Sequence, residues 1–296
     1  MHVAILTGGN NAEREVALKS AENVRAALEG RVELTLFNFP EQIEDFLAVR
    51  DQIDCCVPVF HGKGGEDGVV QGFLETLGMP YVFSDVRAHA VGMDKMLTKM
   101  KIEEAGFMTP QWALVQSGDE VTFSETVVVK PNDGGSTIGI SIARNQEELE
   151  SAVKEAEGYC SMVLVEKYIH GREFTVSVID QDSEVQSLPV VEIISKHELF
   201  DYESKYDPEL AEDFCPALID PSLTERLQVM ATDAHSLIGA RHLSRSDMIV
   251  DDKGDIYFLE INTIPGLTNA SLVPKAFDVA RLELGELLTK WIKESI

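Results

Sequence analysis

Cysteine, positive charge and long apolar runs are all scarce in this chain. The four cysteines are Cys55, Cys56, Cys160 and Cys215. None has the spacing of zinc ligands, and a vicinal pair makes a poor disulfide framework, so a reducing compartment is expected. Lys and Arg number 25 against 51 Asp and Glu, a formal net charge of −26. A field of that sign repels nucleic acid and anionic membrane, so neither is expected as a partner. No apolar run approaches the ~20 residues of a membrane span. The opening MHVAILTGG lacks the basic region and long apolar core of a signal peptide. A cytoplasmic protein is the expectation. There are no repeats and no low-complexity segment.

What is present is ordinary globular material, 296 residues of which 44% are hydrophobic, enough for two or three domains. Residues 2–6 form an apolar strand ending in Gly8-Gly9, and a helix is predicted over about 12–28. VELTLFNF, a helix near 41–49 and CCVPVF complete a β-α-β-α-β pattern, which specifies a parallel sheet. Ligands bind at the carboxyl ends of such strands. Two loops occupy those ends, TGGNNAERE and HGKGGEDG. Glu15 sits just inside the first helix, where a carboxylate is also favoured by the helix dipole. His61 opens the second loop; such a histidine is either a packed side chain or part of a site.

A helix over about 69–77 and a strand PYVFS follow. SDVRAHAVG reads as linker, and a helix starting near Met93 opens the next region. Strand TVVVKP ends at Lys130 and turns into NDGGSTIGIS. That loop has exposed N–H groups able to lie over phosphates, and Lys130 can reach one as a point charge. It is neither a Walker A loop, because the Lys precedes the glycines, nor a Rossmann fingerprint, because no helix opens from it. Strand MVLVEKYI carries Glu166-Lys167, with Glu173 beyond. Residues 197–216 are long, polar and aperiodic, a candidate lid containing Tyr202, Lys205 and Tyr206. Helices are predicted over 221–239 and about 279–295.

The most informative stretch is RSDMIVDDKGDIYFLEIN, which reads as a β-hairpin. With Lys253-Gly254 at the tip, Asp252 faces Asp255, Asp247 faces Glu260 and Arg245 faces Asn262. Side chains two apart share a face, so one face carries two carboxylates, a carboxamide and a guanidinium. Two readings fit: a solvated acidic face, or an oxygen-rich site for Mg²⁺ completed by phosphate and water.

Seven blocks in order resemble the D-alanine–D-alanine ligases of the ATP-grasp superfamily. They are GGNNAEREVALKS, HGKGGEDGVVQGFLETLGMPY, MDKMLTK, VVVKPNDGGSTIGIS, VLVEKYIHGREFTV, FDYESKY and SRSDMIVDDKGDIYFLEINTIPGLTNASLVP. The resemblance implies an α/β ATP-grasp fold behind an N-terminal parallel-sheet, Rossmann-like domain. It implies three parts: residues 1–88 for substrate, 89–180 with the mobile glycine loop, and 181–296 with the lid and metal hairpin. It implies Lys95 and Lys130 on ATP phosphates, Glu166, Lys167 and Glu173 on adenine and ribose, and Lys205 at the nucleotide. Asp247, Glu260 and Asn262 would hold two Mg²⁺, with Mn²⁺ an alternative. Glu15 would position the first D-alanine in a network with Ser136 and Tyr206. Arg245 and the Gly266 amide would form an oxyanion hole, Ser271 and Leu272 would hold the second carboxylate, and His61 would lie near the first substrate. The implied partners are ATP and D-alanine, with a second copy in a homodimer, and the implied product is a peptidoglycan precursor. A sibling ligase with a different second substrate is the alternative, and Tyr206 argues against a D-lactate form. The chain departs from the family at Ala17, at Gly135-Ser136-Thr137 and at Val82-Phe83-Ser84-Asp85.

Overall fold

The computed structural model describes residues 1–116, 118–135, 137–182, 184–195 and 211–296. Its first sheet is the predicted one. β1 (His2–Gly8), β2 (Glu33–Phe39) and β3 (Cys55–Val59) lie parallel in the order β2-β1-β3. Helix α1 (Arg14–Leu28) covers one face; α2 (Ile43–Val49) and α3 (Val69–Thr76) cover the other, around Phe46 and Leu74. All five β3 residues are buried, as a doubly covered parallel strand requires.

The stretch expected as linker is helical. Helix α4 (Val86–Met93) starts where the Asp85 carboxylate accepts the Ala88 N–H at 2.8 Å, an N-cap the sequence spells as Ser-Asp. Asp94 caps α5 (Lys95–Glu104) likewise, through the Leu97 N–H at 2.9 Å. PYVFS is not a strand but a single parallel bridge from Tyr81 to Cys56. Phe83 adopts a φ of 75° and is fully buried. Its N–H donates to His242 Nδ1 at 2.9 Å, and Arg241 Nε donates to its carbonyl at 2.9 Å. Its ring meets Trp291 edge-on with centroids 6.2 Å apart, so the departure at Phe83 ties the end of the first sheet to the last helix of the chain. Burial lowers the His242 pKa to about 4, which keeps Nδ1 an acceptor at neutral pH.

The second sheet runs β4 (Trp112–Gln116), β7 (Met162–Lys167), β5 (Val127–Pro131), β6 (Ser141–Ala143), with α6 (Gln146–Glu157) on its apolar side. The third contains β8 (Gly171–Gln181), β9 (Glu184–Ser187), β10 (Val191–Ser195), β11 (Ala211–Phe214), β12 (Leu243–Asp251) and β13 (Ile256–Asn262). Among the described residues β8 pairs with β9, β10 and β12, so its backbone ladder belongs to the third sheet. Helix α7 (Pro221–Ile238) packs behind this sheet together with α5.

The expected closing helix is two helices, α8 (Leu272–Ala280) and α9 (Leu284–Ser295). Arg281 at φ 57° separates them. Both pack beneath the first sheet, where Phe277, Leu288 and Trp291 share a core with Val3, Val57 and Ala21. Among the described residues no helix is long and apolar enough to cross a membrane.

Candidate functional site

The hairpin reaches the expected pairing at the site by an unexpected route. Its tip has three residues, Asp252-Lys253-Gly254, closed by the Asp251–Asp255 pair with Gly254 at φ 83°. Met248 consequently faces Phe258, one residue out of the expected register. A bulge at Leu259 then restores it, so Asp247 faces Glu260 and Arg245 faces Asn262. The extra residue also explains why Phe258 and Ile261, three apart, both enter the core, while Glu260 and Asn262 stay on the other face.

On that face Arg245 grips Asp247 with two hydrogen bonds, Nε to Oδ1 at 2.9 Å and Nη2 to Oδ2 at 2.7 Å. Thr175 Oγ1, from β8, donates to Asp247 Oδ1 at 2.6 Å, and Asn262 Nδ2 lies 3.4 Å from Oδ2. Burial alone would lower the Arg245 pKa; Asp247, then Glu260 and Glu66, outweigh it and raise it. Lys95 Nζ is 3.3 Å from Glu260 Oε2 and donates to the Gly134 carbonyl, joining the glycine loop to the hairpin.

The donor set suits a hard cation. Among the described residues no three His, Cys, Asp or Glu side chains cluster as metal ligands. Asp247, Glu260 and Asn262 offer two carboxylates and a carboxamide, all oxygen donors, which is the partial shell Mg²⁺ takes when phosphate and water complete it.

Beside this face lies a cleft of about 140 Å³ between the second and third sheets. Lys130, Glu166, Lys167, Glu173, Asp247 and Glu260 line it, with Ile140, Ile169 and Leu259 as apolar surface. Lys130 pairs with Glu166 Oε1, and Lys99 sits 2.8 Å from Oε2. Burial would raise the Glu166 pKa; Lys130 and Lys99 outweigh it and hold it below the usual carboxylate value. Lys167 turns outward to Glu125 at 2.7 Å. Six of the expected residues thus meet in one cleft.

Glu15 is not among the residues gathered at the site. It is exposed on the first turn of α1, whereas Glu13 is buried. A Cβ added at Gly62 would lie 2.2 Å from Glu13 Oε2, and one added at Gly135 would lie 2.9 Å from it. Both glycine loops therefore close on Glu13. Asn11 sets that geometry: its Oδ1 accepts the Glu13 N–H, and its Nδ2 donates to the His61 and Lys63 carbonyls, each at 2.8 Å. The repeated carboxylates in AERE made the two hard to separate, and the helix begins at Arg14, two residues later than expected.

His61 is buried with Nε2 3.0 Å from Ser20 Oγ. Burial lowers its pKa to about 4, so the ring is neutral at pH 7. Gly266 lies against Ser271: a Cβ there would be 2.8 Å from Ser271 Oγ. Ser271 is the N-cap residue of α8 and Leu272 its first residue, so the unpaired N–H groups of that helix end can receive a carboxylate. Ser136, Lys205 and Tyr206 lie outside the described residues.

Glu66 is a site residue that sequence reasoning left unassigned. Its carboxylate accepts the Gly62 N–H at 2.7 Å and the Ile264 N–H at 3.4 Å. Burial, with Glu13 nearby, raises its pKa from 4.5 to about 8. A carboxyl held protonated by the fold stabilises it below pH ~4.5, and that contribution is lost as pH rises to about 8. Glu66→Gln is expected to raise the melting temperature over wild type at pH 8.5 and much less at pH 5. An equal difference at both values would remove the protonated carboxyl.

The D-ala D-ala ligase C-terminus model matches residues 96–293, and the N-terminus model matches residues 36–84. A D-alanine–D-alanine ligase of Syntrophobacter fumaroxidans is 41% identical over 98% of this chain and 96% of its own length. One from Halalkalibacterium halodurans is 38% identical over 100% and 99%. The structure of Bacillus anthracis D-alanine–D-alanine ligase complexed with ATP superimposes with a TM-score of 0.85 at 31% identity, covering 100% of this chain and 97% of that one. VanG D-Ala:D-Ser ligase from Enterococcus faecalis gives 0.83 at 28% identity, covering 100% and 99%. Matched at both ends by one family's models and along its whole length by these relatives, the chain belongs to the D-alanine–D-alanine ligase family.

Proposed function

We propose that this chain is an ADP-forming ligase that joins two D-alanines into D-alanyl-D-alanine, in the cytoplasm and for peptidoglycan precursor synthesis. The observation that carries it is that Lys130, Asp247 and Glu260 line one cleft, with Lys95 3.3 Å from Glu260 and Arg245 hydrogen-bonded to Asp247 behind its wall. Cations placed there offset charge on a transferring phosphoryl group, and the apolar walls take a base.

A carboxylate oxygen of the first D-alanine bonds to the γ-phosphorus of ATP while the bond from that phosphorus to the β–γ bridging oxygen breaks, releasing ADP. Lys95 and Lys130 hold the phosphates. The Glu13 carboxylate receives the substrate's ammonium, the role first expected of Glu15. Bound at Asp247, Glu260 and Asn262, Mg²⁺ supplies Lewis-acid stabilisation of phosphate charge. The neutral amine of the second D-alanine then attacks the acyl carbon. Arg245 and the Gly266 N–H stabilise the oxyanion, phosphate leaves, and the amine proton passes to solvent or phosphate. The N-terminus of α8, with Ser271 and Leu272, holds the second carboxylate. An acyl phosphate hydrolyses readily, so the glycine loop closing on Glu13 also excludes water. A homodimer is the proposed assembly.

Phosphate release from Mg·ATP with D-alanine, L-alanine, D-serine and D-lactate, singly and paired with D-alanine, tests the reading. Strong release with D-alanine alone, yielding D-alanyl-D-alanine, is expected; no release with any pair would sink it. The VanG superposition keeps a sibling ligase in view, and release only with a mixed pair would select that reading. Tyr206→Phe is expected to shift the second-substrate preference toward a hydroxy acid, because a phenol can join a hydrogen-bonded network that a phenyl cannot. An unchanged ratio of D-alanine to D-lactate use would remove that role.

A further inference from the structure

Glu166 has two cationic partners on two sides. Lys130, on β5, lines the cleft and pairs with Oε1. Lys99, on α5, is fully buried, does not line the cleft, and contacts Oε2 at 2.8 Å. The two charges form a fully buried ion pair. A single lysine would already neutralise Glu166. A second, wholly desolvated lysine is costly to bury, and burial accordingly lowers its pKa against the pull of Glu166.

The cost has a use once Lys130 must leave. With only Lys130 present, moving its ammonium to a nucleotide phosphate would strand a buried carboxylate, which is strongly unfavourable. With Lys99 behind Glu166, the carboxylate keeps a counter-charge throughout. Lys95 and Lys99 lie one helical turn apart on the buried face of α5. One helix therefore presents a lysine to the glycine loop and Glu260 and another to Glu166.

We propose that Lys99 is a positioning residue for nucleotide binding, a buried cation that retains the Glu166 carboxylate so that Lys130 is free to engage phosphate. The inference rests on the proposed function only in taking the cleft as the nucleotide site.

Lys99→Met, Glu166→Gln and the double variant are compared with wild type by calorimetric titration of Mg·ATP and by steady-state kinetics. Lys99→Met is expected to weaken ATP binding about 30-fold and to raise the ATP KM in step. The D-alanine KM stays within twofold. Glu166→Gln removes the charge that Lys99 serves, so adding it to Lys99→Met restores binding to the level of Glu166→Gln alone. Affinity in Lys99→Met within twofold of wild type, or losses that multiply in the double variant, would overturn the proposal. Where Lys99→Met does not fold, the double variant carries the test: binding equal to Glu166→Gln supports it, and a further loss sinks it. Wild-type protein that binds ATP without ligating D-alanine would dismiss the proposed function and leave this test intact.

Discussion

Glu260→Gln is expected to lower kcat by about a thousandfold or more while the protein still folds. The substitution keeps shape and removes one of two opposed carboxylates. Its structural cost is bounded. Glu260 is 24% exposed, and its buried partner Lys95, 3.3 Å away, keeps the Gly134 carbonyl as a second partner when the carboxylate becomes an amide. Its chemical cost is large, because with Gln only Asp247 supplies a full negative charge, and Arg245 already holds both oxygens of that group. Phosphate release and thermal melting measure the two separately. Mn²⁺ bound in the presence of ADP, counted by its paramagnetic signal, gives a readout independent of turnover and is expected to fall in the variant. Wild-type turnover and wild-type Mn²⁺ binding together would dismiss the metal assignment.

The hairpin over 245–262 was the most legible part of the chain. The expected register assumed a two-residue tip, and the tip has three. The pairing at Asp247–Glu260 was nevertheless correct, because the Leu259 bulge returns the residue lost at the turn. The side chains explain the bulge. Phe258 and Ile261 must both reach the core, and a regular strand cannot bury residues three apart while turning Glu260 and Asn262 to the opposite face. The chemistry of the face was readable from residue types; the bulge depends on packing against α5 and α7, which no local pattern records. The parallel first sheet was readable for a simpler reason, since continuous apolar runs mark strands covered on both sides. Helix α4 was missed because Ala, His and Gly give a weak apolar stripe, yet its Asp85 cap stood in the sequence. Lys99 was hidden altogether, since nothing local distinguishes a lysine that will be fully buried from one that snorkels to solvent.

Glu13→Gln is expected to cut kcat/KM for D-alanine about a hundredfold, and Glu15→Gln less than threefold. The sequence offers two carboxylates in AERE, and the family resemblance was read onto Glu15. The structure separates them. Glu13 is buried at 6% exposure where the loops bearing Gly62 and Gly135 converge, and it lies close enough to Glu66 to help raise that group's pKa. Glu15 faces water, where its charge is screened. A substrate ammonium brought to Glu13 meets a buried carboxylate beside Glu66, whose own pKa burial and Glu13 raise to about 8. A charge-assisted hydrogen bond to a buried carboxylate contributes about 3 kcal/mol, close to a hundredfold in kcat/KM. Removing it should raise the D-alanine KM at its tighter site and leave the ATP KM nearly unchanged. That split separates lost substrate contact from general damage, which would move both constants. Equal losses in the two variants would return the role to the first turn of α1. A loss confined to Glu15→Gln would mean that the buried carboxylate serves only to hold the loops together.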